Sequence, residues 1–171
     1  MKTKIAVLLS LLLVVATLFS SCAEESAQKQ FTSGNFSITL DECFDMENID
    51  RGDAAFVSPR LCIYYINDKN KYLGRHIENF DKYCELVAEM NSLAKGDVVT
   101  DGELVYVVYD DKVITSEYKV ATFLFEVGGE FSRVEFVCEA AQLEARMEQI
   151  LSYARTITIK ENTQDSTAAA Q

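Results

Sequence analysis

The side chains able to do chemistry in this chain are sparse, and their spacing fits no familiar bond-making arrangement. One histidine, His76, stands in 171 residues. It sits beside Arg75 and reads as a surface or capping residue, because a Ser/His/Asp triad built on it would have no marked nucleophile. A Gly-rich phosphate loop, His-Glu-x-x-His and Gly-x-Ser-x-Gly are all absent. The 27 acidic residues supply many carboxylate pairs by chance, so a glycosidase-like pair carries no weight by itself. Six of them, Asp41, Glu42, Asp45, Glu47, Asp50 and Asp53, crowd residues 41–53 against the single Arg51. They lack the Asp-x-Asp-x-Asp-Gly ligand order of a calcium loop, so a solvated acidic loop is the favoured reading and a protein-binding surface the functional one. No catalytic residue, metal or cofactor is expected.

Cysteine and tyrosine are the remaining reactive types. After Cys22 come Cys43, Cys62, Cys84 and Cys138. In an oxidising compartment they allow two disulfides in three connectivities. None has Cys-x-x-Cys spacing. Cys84 falls on an expected helix and Cys138 at the core-facing end of a strand, so the two are expected close together, bonded or not, with Cys43 and Cys62 as the weaker pair. Buried free thiols are the alternative, since free cysteine behaves as a small apolar residue. Tyr64, Tyr65, Tyr72, Tyr106 and Tyr109 offer apolar area with a polar tip for a binding groove, but at strand positions ordinary sheet packing is favoured.

The elements that must position these residues are clearest over 118–153. Alternating apolar residues run through 118–127, Gly128-Gly129 follows, and a second strand covers 130–138. A two-glycine loop suits a primed hairpin turn and fixes the register, so that Phe125 faces Ser132, Phe123 faces Val134 and Ala121 faces Phe136. One face then carries Ala121, Phe123, Phe125, Val134, Phe136 and Cys138, and the other mixes Thr122, Glu126, Arg133 and Glu135 with apolar neighbours. A closing helix over 140–155 carries the stripe Leu143, Met147, Ile150, Leu151 and Ala154. Upstream, Phe36, Ile38 and Leu40 alternate as a first strand, and 54–57 begins a strand that Pro59 interrupts. A better strand runs 61–66. Asn79 caps a helix from Phe80 to about Lys95 that Gly96 closes, with Phe80, Tyr83, Val87, Met90 and Ala94 on one face. A hairpin turning at Asp101-Gly102 ends in 104–109, apolar on both faces as a central strand is.

Residues 1–21 look like a targeting segment. Lys2 and Lys4 precede an apolar run of 5–19, too short for a membrane span of ~20 residues. The Ser20-Ser21-Cys22 that follows resembles the lipobox of bacterial lipoproteins, with Phe19 where leucine is commoner. That resemblance implies lipidation of Cys22 and a membrane anchor in the cell envelope; a plain secretory signal is the alternative. Glu24-Glu25 resembles the acidic export tags of some Bacteroidota lipoproteins. The expected layout is a signal peptide 1–21, a flexible tether 22–33, one domain 34–159 and a disordered tail 160–171. Losing 1–21 removes two lysines and no acidic residue, taking the formal charge from −11 to −13. Such a surface repels nucleic acid and favours solubility or a basic partner.

The element order resembles the PsbP-like fold, shared by the photosystem extrinsic protein, a Ran-binding nuclear import factor and bacterial DcrB-type lipoproteins. The residues that carry the resemblance are Asn35-Phe-Ser-Ile-Thr-Leu40, Ile77-Glu-Asn-Phe-Asp-Lys-Tyr83, and Gly128-Gly-Glu-Phe-Ser-Arg-Val-Glu-Phe-Val-Cys138 with Ile150-Leu-Ser-Tyr153. Asp41 stands where the family usually has proline. The resemblance implies an α+β fold, an antiparallel sheet flanked by helices in an α/β/α sandwich. Its members are mostly adaptors, chaperones or assembly factors without a shared catalytic set. The mixed hairpin face, with Val120, Leu124, Phe131 and Val137, is then either an interaction surface or, as the fold implies, covered by the first helix. The function expected is a noncatalytic binding, assembly or accessory lipoprotein. An immunity-type lipoprotein neutralising a basic toxin is the alternative, and a hydrolase the least favoured class.

Overall fold

The computed structural model describes residues 27–68, 77–111 and 117–161. Along the chain they form β1 (Gln28–Ser33), β2 (Phe36–Asp41), β3 (Asp45–Glu47), β4 (Ala54–Ser58) and β5 (Leu61–Asn67). Next come α1 (Phe80–Met90), β6 (Val99–Asp101), β7 (Leu104–Asp110), β8 (Tyr118–Val127) and β9 (Glu130–Glu139). The last elements are α2 (Leu143–Ala154) and β10 (Thr158–Ile159). The expected signal peptide, Cys22, Tyr72, His76 and the tail beyond 161 lie outside the described residues. Among those described, no helix is long and apolar enough to cross a membrane.

Seven strands make one antiparallel sheet in the order β3-β4-β5-β9-β8-β7-β6, and β1, β2 and β10 make a second. The β8–β9 hairpin has the register its Gly-Gly turn dictates, with Phe125 opposite Ser132, Phe123 opposite Val134 and Ala121 opposite Phe136. Gly128 and Gly129 adopt φ of 59° and 76°, which glycine takes without a Cβ penalty. The strand over 104–109 is not central, because only the three-residue β6 lies beyond it at the sheet edge.

The two faces of the large sheet are covered differently. On the first, Ala121, Phe123, Val134, Phe136 and Cys138 pack with Phe56 and Ile63 against β2 (Phe36, Ile38, Leu40) and α2 (Ile150, Tyr153, Ala154). Burying each large apolar side chain there contributes roughly 1.5–3 kcal/mol. On the second face α1 lays Tyr83, Cys84, Val87 and Ala88 over Val107 and Leu124. Tyr83 stacks on Phe131 at 4.7 Å, and Leu124 is 3% exposed. The fold is therefore α+β with helices on both sides of an antiparallel sheet. The hairpin's mixed face is crossed by α1, which buries Leu124 and leaves Phe131 half-buried beneath Tyr83.

Three expectations are corrected. Residues 28–33, expected in a flexible tether, form β1, whose Phe31 opposes Ile38 of β2 and is buried in the core. The ordered domain accordingly includes residues before 34. The helix after Asn79 starts as expected, with the Asn79 side chain accepting from the Lys82 N–H at 3.0 Å, but ends at Met90. Ser92 turns to φ 63°, Leu93 N–H donates to Ala88 O at 2.9 Å and Ser92 N–H to Glu89 O at 2.9 Å. Those two bonds satisfy the last carbonyls in a left-handed cap, so Gly96 is not the terminator. Finally, Cys84 and Cys138 lie in clusters on opposite faces of the sheet, and all four described cysteines are free thiols. The helix bearing Cys84 covers the second face, whereas the strand alternation points Cys138 into the first.

Candidate functional site

Two features of the structure bear on function: a groove at one end of the large sheet and a buried ionic cluster on its second face. The groove begins with the β4–β5 turn. Ser58 and Leu61 are paired across a two-residue loop of Pro59 and Arg60. Proline presets φ for the turn, and the Ser58 hydroxyl donates to Leu61 O at 3.0 Å. Pro59 thus links two strands rather than ending one. The loop carries the exposed Arg60 past the flank of α2, where Arg146 and Gln149 are one turn apart. Arg146 donates through Nη1 to Gln149 Oε1 at 3.3 Å, and Gln149 Nε2 donates to the Tyr153 hydroxyl at 2.8 Å.

Two adjoining cavities flank this turn. The larger, about 480 Å³, reaches Cys62, Tyr118, Val137, Cys138, Glu139 and Gln142. The smaller, about 280 Å³, reaches Asp41, Cys43, Phe44, Gln149 and Tyr153. Residues 58–61 and Arg146 line both. Together they have the size of a small-ligand pocket of mixed polar and apolar lining. Burial pushes the Cys62 and Cys138 thiols up, and burial together with Asp41 pushes the Tyr153 phenol up. Protonated thiols are poor nucleophiles. The groove is chemically suited to hold a ligand.

The ionic cluster ties the second face together. Arg133 donates to Asp68 Oδ2 and, at 3.0 Å, to Glu135 Oε1. The Tyr83 hydroxyl donates to the same Asp68 oxygen at 2.7 Å. Arg51 reaches in from the acidic loop, bonding Asp111 at 2.9 Å and Glu135 at 3.3 Å and lying over the Tyr64 ring at 4.8 Å. Burial alone would pull the Arg51 pKa down, but its bond to Asp111 and the charges of Glu135 and Asp111 outweigh it and the pKa rises. Gly52 permits this path, because a Cβ there would stand 2.5 Å from Tyr65 O. α1 and this strap cover part of the second face, while Val137 of the same face lines the larger cavity.

The residues marked in the sequence are scattered. Asp41 borders the smaller cavity. Glu42, Asp45, Glu47, Asp50 and Asp53 are exposed, and Asp53 accepts from Asn67 N–H at 2.6 Å. Among the described residues no three His, Cys, Asp or Glu side chains are placed to hold a metal ion. Tyr65 stacks on Phe36 at 4.4 Å, Tyr106 contacts Phe123 at 5.0 Å, and Tyr109 shares a hydrogen bond with Thr122, so these tyrosines serve packing. The sequence reading missed Arg60, Arg146, Gln149 and Tyr153. One signal was available: Arg146 interrupts the Leu143, Met147, Ile150 stripe from its flank, an unusual place for a cation.

No protein-family model matches the chain, and no curated protein matches it significantly. In structure it is similar to the cyanobacterial PsbP of Synechocystis sp. PCC 6803, known from a solution structure, over 82% of this chain and 98% of that one. The TM-score is 0.45 and the identity 10%, so the likeness concerns fold and carries nothing about function.

Proposed function

We propose that this chain is a noncatalytic binding module of a bacterial envelope, held to the membrane by a lipid on Cys22. The observation that supports it most is the groove between the β4–β5 turn and α2, whose cavities of about 480 and 280 Å³ are lined by apolar residues, two arginines and the Cys62 and Cys138 thiols, whose pKa burial raises. The anchor rests on the apolar run ending at Ser21-Cys22. Cys22→Ala should release the protein from membranes or leave it unprocessed, and unchanged retention and mobility would refute lipidation.

The binding role is tested by photocrosslinking in cells from position 142 at the groove and from position 46 on β3. A discrete adduct from Gln142 and none from Met46 is expected. The same pattern from both, or nothing from Gln142, rules out the groove. The immunity-type alternative draws on the exposed acidic residues of 41–53 around Met46, which is 58% exposed. An adduct with a basic protein from Met46 alone would favour that reading.

A further inference from the structure

The chain has 27 acidic residues against 16 basic ones, so a cation without a carboxylate partner is conspicuous. Five arginines are described. Arg51, Arg133 and Arg155 each pair with a carboxylate. Arg60 and Arg146 are the two that make no ion pair among the described residues, and both line the junction of the two cavities. Of the groove's carboxylates, Glu139 lines the larger lobe and Asp41 the smaller, where Asp41 accepts from Gln149 Nε2 at 3.4 Å rather than from either arginine.

Arg146 is also held ready. Its Nη1 is engaged by Gln149, while its Nε is buried and has no hydrogen-bond partner among the described residues. A buried donor left unmade is unfavourable, and a small shift of the side chain toward a bound acceptor would satisfy it. The edge formed by Nε and Nη2 is the side of a guanidinium that receives both oxygens of a carboxylate. Leu61, Val137 and Tyr118 lie beside the junction in the larger lobe, Phe44 and Tyr153 in the smaller.

We propose that this groove binds a carboxylate carried on an apolar body, the carboxylate between Arg60 and Arg146 and the body in an adjoining lobe. The proposal rests on the reading of the groove as the binding site and names its ligand class. Two sources share that chemistry: a free amphipathic acid and the C-terminal residue of a peptide.

The test uses the full chain in lipid nanodiscs, with empty nanodiscs as blank. The probes are 4-phenylbutyrate against 4-phenylbutanol, and acetyl-Ala-Ala-Leu with a free against an amidated C-terminus. Binding is read by ligand-observed NMR for the native chain and for Arg60→Gln, Arg146→Gln and the double variant. Arg60 is exposed and Arg146 half-buried, and far-ultraviolet circular dichroism verifies that each variant folds. Binding of 4-phenylbutyrate but not the alcohol, weakened at least tenfold in each variant, supports the proposal with a free acid as ligand. The same loss for the free-carboxylate peptide, with the amide inert, supports it with a chain terminus. No binding by either carboxylate, equal binding of the neutral analogues, or undiminished binding in the double variant overturns it. If crosslinking from Gln142 persists when the carboxylates fail, the ligand class is wrong and the groove stands. If both fail, the groove reading falls with it.

Discussion

Replacing Arg133 with methionine probes the ionic cluster on the second face. The substitution keeps an apolar stem of similar reach and removes the guanidinium from between Asp68 and Glu135. The side chains of Arg133, Asp68 and Glu135 are 8%, 0% and 8% exposed. At an effective dielectric of ~20, unit charges about 3 Å apart attract by roughly 5 kcal/mol. Much of that offsets the several kcal/mol each ion loses on leaving water. Deleting one partner keeps the desolvation cost and forfeits the attraction, a loss of about 3–5 kcal/mol. Asp68 retains the Tyr83 hydroxyl and Glu135 retains Arg51, which places the expectation near the lower end. Asp68 Oδ1 has no hydrogen-bond partner among the described residues, so its burial is already costly. Urea unfolding is the assay: with a slope of about 2 kcal/mol per molar, the midpoint should fall by roughly 1.5 M. Arg155→Met is the control, because its 2.8 Å pair with Asp101 is 55% and 45% exposed and should cost no more than about 0.5 kcal/mol. A loss at Arg133 below about 1 kcal/mol, or no larger than at Arg155, would refute the reasoning.

Four further outcomes follow from the same structure. Asn79→Ala removes the acceptor for Lys82 N–H and should lower stability by about 1 kcal/mol in thermal melts; an unchanged midpoint would mean that α1 is not held by its cap. Gly52→Ala drives a Cβ to within 2.5 Å of Tyr65 O, which also accepts Asp53 N–H at 2.9 Å and cannot retreat freely, so a cost of about 1–3 kcal/mol is expected in urea unfolding, and a neutral result would show that the strap yields. In native protein at about pH 8 the exposed Cys43 should react with a thiol reagent well before Cys84 and Cys138, and equal rates would contradict the burial. Burial, and after it the charge of Asp81, pushes the Cys84 thiol up to about 11 from its ordinary 9.0, so its contribution to stability is whole below pH 9.0 and fades as pH climbs toward about 11.

What the sequence determined by itself is local. The Gly128-Gly129 turn fixed the register of β8 and β9, because a two-residue primed turn admits one pairing. Strand alternation and the stripe on α2 marked Phe123, Phe136 and Ile150 for the core, and the Asn79 cap fixed where α1 begins. The end of α1 was not legible, since a left-handed serine cap carries no glycine signature. Only the tertiary structure decided which face each helix covers, and with it the separation of Cys84 from Cys138. Residues 28–33 contain one large apolar residue, Phe31, and read as a tether; pairing with β2 makes them a strand because the partner supplies the hydrogen bonds. The groove is the extreme case. Arg60 and Arg146 are 86 positions apart in the sequence, and no periodicity links a turn apex to the flank of a helix. Their meeting at one junction depends on how α2 packs against the sheet, a long-range contact whose partners the chain specifies only by folding.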